Sequence, residues 1–101
     1  VAAAVADLPD YPGATRVELR AEPHAGFTRS IEAKFTTSDT FDNVKRFYLA
    51  AIPANGWQIT STNEAQPSKV QWLLSKATSN GKVEIEAEHG TLQISLERYD
   101  R

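Results

Sequence analysis

Glu84, Glu86 and Glu88 stand two residues apart in a stretch that alternates acidic and apolar side chains. That spacing puts all three carboxylates on one face of a strand. Such a row could bind a cation or a basic partner protein, or supply a carboxylate pair for acid–base work. A calcium site needs oxygens converging from a loop, whereas a straight strand splays its side chains apart. The simpler reading is a solvated sheet face whose charge discourages aggregation. His24 and His89 both fall in turn-forming sequence, with no H-x-H, no HExxH and no cysteine to help hold a metal. The serines stand in neither G-x-S-x-G nor S-x-x-K, and the scattered glycines make no phosphate-binding loop. The chain is therefore expected to be no enzyme and to need no metal or cofactor. A small hydrolase or isomerase with dispersed carboxylates ranks last among the functions considered.

The aromatic residues offer a different chemistry. Tyr48, Trp57 and Trp72 could line a groove between a helix and a sheet, where an apolar ligand would sit. With 101 residues from which to build a core, a filled interior is the simpler outcome.

Composition narrows the class. A hydrophobic share of 41% with 24% charged residues is that of a globular chain and not of a disordered one. A net charge of -2 argues against a nucleic-acid partner, which calls for a basic face. No apolar run approaches the roughly 18 residues that a membrane-spanning helix requires. The small-x-small pattern of Ala4-Val5-Ala6 is that of a signal-peptide cleavage site, although a leader left by trimming would read the same way.

The elements that must position these residues follow from periodicity. Residues 1–14 read as a leader and a turn, punctuated by Pro9, Pro12 and Gly13, and residues 15–101 as a single domain. Alternation predicts strands over 15–22, 27–36, 57–63, 69–78, 82–88 and 91–99. The 3.6-residue repeat of Phe41, Val44, Tyr48, Ala51 and Ile52 predicts a helix over 39–55, entered through the caps of TTSDT and ended by Pro53 and Gly56. With Phe47 and Leu49 on its flanks the apolar arc is about 200° wide, against the roughly 100° that suits a flat surface. That width predicts a helix sunk in the groove of a curved sheet. Asn80-Gly81 is a strong hairpin signal and sets Leu74 opposite Ala87. His89-Gly90 sets Ala87 opposite Leu92, Ile85 opposite Ile94 and Val83 opposite Leu96. The expected class is α+β, in the order ββαββββ: one helix on one face of a curved, mainly antiparallel sheet of about six strands.

Pro12-Gly13-Ala14, then TTSDTFDNVKRFY, then IPANGW resemble a group of small bacterial exported or lipoprotein-type domains. Those domains carry a Tyr-Pro-Gly-Ala start, a Thr-Ser-Asp-Ser-like helix entry with Phe-Tyr, and a Gly-Trp exit, and the match runs from about Asp10 to Trp57. The resemblance implies an extracytoplasmic domain, periplasmic, secreted or tethered upstream of Val1, with no activity or catalytic residues to carry over. The expected function is that of a non-enzymatic binding or protein-interaction module of the bacterial cell envelope. Another envelope protein would meet its open sheet face, with Glu84, Glu86 and Glu88, or an exposed strand edge. The alternative is a carrier of a small apolar ligand in the groove of Tyr48, Trp57 and Trp72.

Overall fold

The computed structural model describes residues 7–24, 27–64, 66–77 and 79–100. The possible cleavage site at Ala4-Val5-Ala6 lies outside them, as does the side chain of His24. The elements in chain order are β1 (Thr15–His24), β2 (Phe27–Thr37), α1 (Phe41–Ala54), β3 (Gln58–Asn63), β4 (Lys69–Lys76), β5 (Ser79–Glu88) and β6 (Thr91–Asp100). The six strands form one antiparallel sheet in the order β1-β2-β6-β5-β4-β3.

The α+β expectation needs correction. Strands take up 60% of the structure, and the single helix is short, so the molecule is a mostly-β sheet with a helical cap. The helix is not sunk in a groove either. Val44, Tyr48 and Ile52 are buried, Phe41 and Phe47 only partly, and Leu49 remains 44% exposed. The buried stripe thus advances by four residues per turn along one side, as for a helix resting on a sheet. The wide apolar arc overstated burial because its flanks project past the contact. The helix rests toward β3 and β5.

Its ends follow local chemistry. Thr40 is the N-cap, its hydroxyl accepting from the Asn43 N–H at 3.2 Å. Asp39 accepts from the Thr40 N–H and the Asn43 amide. At the other end Trp57 N–H bonds Ile52 C=O and Gly56 N–H bonds Pro53 C=O, the 6→1 and 5→2 pair of a Schellman motif. Gly56 sits at φ 87°, a conformation that a side chain would strain.

The two hairpins expected at the C-terminus fared differently. The His89-Gly90 turn is present, with His89 at φ 51° and the register as read: Ala87↔Leu92, Ile85↔Ile94, Val83↔Leu96. Asn80-Gly81 is not a turn. Both residues lie within β5, the chain reverses after Lys76, and Leu74 faces Gly81 instead of Ala87. The slip is six residues, an even number, so every side chain kept its face. The reason lies in packing. A Cβ on Gly81 would stand 3.2 Å from both the Trp57 ring and the Glu97 carbonyl, so the glycine serves the approach of an indole and not a turn.

Residues 7–14, read from sequence as leader and turn, pack on the core. Leu8 and Tyr11 are buried there. Trp57 Nε1 donates to the Asp7 carbonyl at 3.0 Å, and the Tyr48 hydroxyl donates to the Pro9 carbonyl at 2.9 Å. The Asp7 carboxylate meets Lys76 Nζ at 2.8 Å and Arg98 Nη1 at 3.0 Å, and both cations lie 5.8 Å from the Trp57 ring centroid. A strap of backbone therefore satisfies the polar tips of two buried aromatics that the sheet and helix alone would leave unpaired.

Candidate functional site

The sheet has a helix-covered face and a helix-free face. On the helix-free face, paired positions run across the strands in a row: Arg20, Glu32, Glu97, Lys82, Leu73 and Ser61. Opposed residues of an antiparallel ladder share a face and touch. Glu97, only 8% exposed, is the most enclosed charged residue described on this face. Lys82 Nζ stands 3.2 Å from it, and the Tyr99 hydroxyl donates to it at 2.6 Å.

Two carboxylates placed directly opposite repel if both ionise. Here they divide the charge. A shared hydrogen bond with Glu97, together with burial, lifts the Glu32 carboxyl above the usual glutamate range. Burial pushes Glu97 upward too, but the hydrogen bonds from Glu32 and Tyr99 and the Lys82 ammonium outweigh it and hold Glu97 below that range. Burial and the Glu97 carboxylate raise the Tyr99 phenol, which stays a hydrogen-bond donor.

Beside this cluster lies an open hollow of about 420 Å³, lined by Thr60, Leu73, Asn80, Lys82, Glu97 and Tyr99 over the backbone of Leu74 and Gly81. Leu73 is 44% exposed there, an apolar side chain on a polar face. The Thr60 hydroxyl bonds the Leu73 carbonyl at 3.1 Å and fixes β3 along one wall. Such a hollow can seat an apolar group against Leu73 and the Tyr99 ring while Lys82, Glu97 and Asn80 meet its polar edges.

The residues singled out from sequence fall in two places. Tyr48, Trp57 and Trp72 are all buried and fill the space between helix and sheet. Glu84, Glu86 and Glu88 do share the helix-free face, next along β5 from Lys82. Lys69 Nζ lies 3.9 Å from Glu84 and 4.0 Å from Glu86, so one ammonium serves two carboxylates, and Glu88 stands 3.5 Å from the exposed His89 ring. Glu32, Glu97, Tyr99 and Leu73 were not singled out. Only Leu73 carried a signal, as an apolar residue between Gln71 and Ser75 in the polar row of its strand. The Glu32–Glu97 pairing joins strands far apart in sequence.

Among the described residues, no group of three or more His, Cys, Asp or Glu is placed to hold a metal ion, and no helix is long and apolar enough to cross a membrane. No curated protein and no solved structure matches the chain. The family described as START domain-like matches residues 18–98 and so spans both the covered core and the Glu97 cluster. That match carries nothing of the exported or lipoprotein character that the N-terminal half resembles. A START-like domain fits a ligand-binding or interaction module in general terms, and such domains are generally binding modules rather than enzymes. On the extent of this match, the chain belongs to the START domain-like family.

Proposed function

We propose that the protein is a non-enzymatic interaction module of the bacterial cell envelope, and that another protein docks on the helix-free face of its sheet. The observation that carries this reading is the hollow around Leu73: an exposed apolar floor in a polar face, walled by the Lys82–Glu97 pair. Beside it Glu84 and Glu86 share a single lysine, so this margin is acidic. The complementary partner presents an apolar side chain to Leu73 and basic residues to the glutamates. Carriage of an apolar ligand between helix and sheet is the weaker reading, because Tyr48, Trp57 and Trp72 occupy that space themselves.

The test is site-specific photocrosslinking in the source cells. A photoreactive phenylalanine in place of Leu73 should capture one protein, and the same probe at exposed Ala50 of α1 should not. Equal capture from both positions, or none from Leu73, rejects the docking site. Fusion of a reporter that works only outside the cytoplasm, placed after residue 101 of the complete gene, tests the envelope location.

One observation favours a second reading. The hollow's volume of about 420 Å³ falls within the size range of small-molecule sites. Native mass spectrometry of protein purified without denaturation distinguishes it. An added small mass that disappears in Leu73→Asp would move the proposal from a protein partner to a ligand.

A further inference from the structure

The helix covers only part of its own face. It rests toward β3 and β5, and at the other end of the sheet Leu19 is 51% exposed, with Ala21 also exposed and Ile31 half-buried. β1 is the terminal strand there, so its outer row of N–H and C=O groups meets no other strand among the described residues. Its register against β2 is unbroken from Glu18 to Glu22, between a shift at Arg16/Glu18 and another at Glu22/His24. The pairing surface is thus one short regular segment.

We propose that this segment pairs antiparallel with the same segment of a second copy, about a twofold axis through Leu19, joining two six-stranded sheets into one. The sequence of β1 selects both occupant and register. Opposed residues must share a face, so the axis passes through a residue and not between two. An axis through Glu18 would set Glu18 against Glu18, and one through Arg20 would set Arg20 against Arg20, like charges in direct opposition. An axis through Ala21 would also oppose unlike charges, Arg20 to Glu22, but would carry Leu19 against Pro23, which has no N–H to give and adjoins the second register shift. An axis through Leu19 sets Glu18 against Arg20 of the other copy, twice by symmetry, and Leu19 against Leu19. Within one chain Arg20 Nη2 reaches Glu18 Oε1 at 2.8 Å and Lys34 Nζ lies 3.4 Å from Glu18 Oε2, so the cross-copy pairs would form by exchange with ion pairs inside each copy.

On the opposite face of the new junction, Leu19, Ala21 and Ile31 of both copies close into one apolar strip. The axis stands perpendicular to the sheet, so both helices lie on one side and both Leu73 hollows open on the other. The contact involves few residues, which places it with small, reversible interfaces and not obligate ones. It rests on the β1 edge alone and does not depend on what binds at the hollow.

The chain has no cysteine, so a single introduced thiol reports geometry cleanly. In Leu19→Cys the two Cα atoms would stand about 4.5–5.5 Å apart, within disulfide reach. In Ala21→Cys, on the same face, they would stand about 14 Å apart, four residues of strand. Mild oxidation should therefore crosslink Leu19→Cys to a covalent dimer and leave Ala21→Cys monomeric. Sedimentation equilibrium of the unmodified chain should show a monomer–dimer equilibrium whose dissociation constant rises roughly tenfold in Glu18→Arg and returns in Glu18→Arg/Arg20→Glu. Far-ultraviolet circular dichroism checks that each variant keeps its strands. A chain that stays monomeric at millimolar concentration overturns the proposal. So does equal crosslinking of the two cysteine variants, or a dimer indifferent to the charge swap.

Discussion

One antiparallel ladder runs through the whole sheet, yet its two ends are finished in different ways. At the β3–β5 end, α1 lies across the strands and the 7–14 strap closes over them, holding the buried indole of Trp57 by Asp7 and the phenol of Tyr48 by Pro9. The terminal strand at that end, β3, is six residues long and polar apart from Ile59, with every residue exposed. At the β1–β2 end the cover stops short: Ala33 and Phe35 of β2 are buried, but Leu19 of β1 is 51% exposed, and this terminal strand is ten residues long with alternating charged and apolar side chains. Short, polar edge strands deter pairing with other chains. The difference teaches that this chain protects one edge by brevity and polarity, and leaves the other long, regular from Glu18 to Glu22 and carrying charges of both signs.

The strongest way to break this comparison uses one residue type at both ends of the same face. Leu74→Ala, under the helix-covered end, should cost about 2–5 kcal/mol in urea unfolding, as for a buried leucine whose cavity cannot collapse. A loss near zero would mean that the covered end is loosely packed. Next is Gly81→Ala, expected to cost about 1–3 kcal/mol because the new methyl meets the Trp57 ring and a rigid backbone carbonyl. No loss there would show that the indole can move aside.

A smaller effect belongs to the carboxylate pair on the helix-free face. The Glu32 carboxyl is held above its ordinary value by its hydrogen bond to Glu97 and by burial, so the folded chain binds that proton more tightly than the unfolded chain does. The resulting stabilisation is fully present below the unfolded value and is lost as pH rises through the folded one. Glu32→Gln keeps a donor toward Glu97 and cannot ionise. It should match the parent near pH 4 and exceed it by about 0.5 kcal/mol at pH 8, read as the difference in denaturant midpoints. A difference independent of pH would dissolve the pair. The smallest effect is Leu19→Ala, expected to change unfolding by about 0.5 kcal/mol or less in dilute solution. A loss as large as that of Leu74→Ala would show that the β1–β2 end is covered after all.

What could be read from sequence alone was everything governed by local periodicity. Alternation placed all six strands, and the His89-Gly90 turn fixed the β5–β6 register residue by residue, because a two-residue turn with positive φ leaves little freedom. The cap at Thr40 and the stop at Gly56 belong to the same class of local chemistry. Tertiary packing decided the rest. Trp57 needed a strand without a side chain to lie against, and that contact took Asn80-Gly81 out of the turn and into β5. The meeting of Glu32 with Glu97 depends on strand order, which no local pattern encodes. The fate of Leu49 and Leu19, both apolar and both exposed, depended on where a short helix ends its reach across a wider sheet. Periodicity tells a side chain which face it takes, and only the assembled layers determine whether that face is covered.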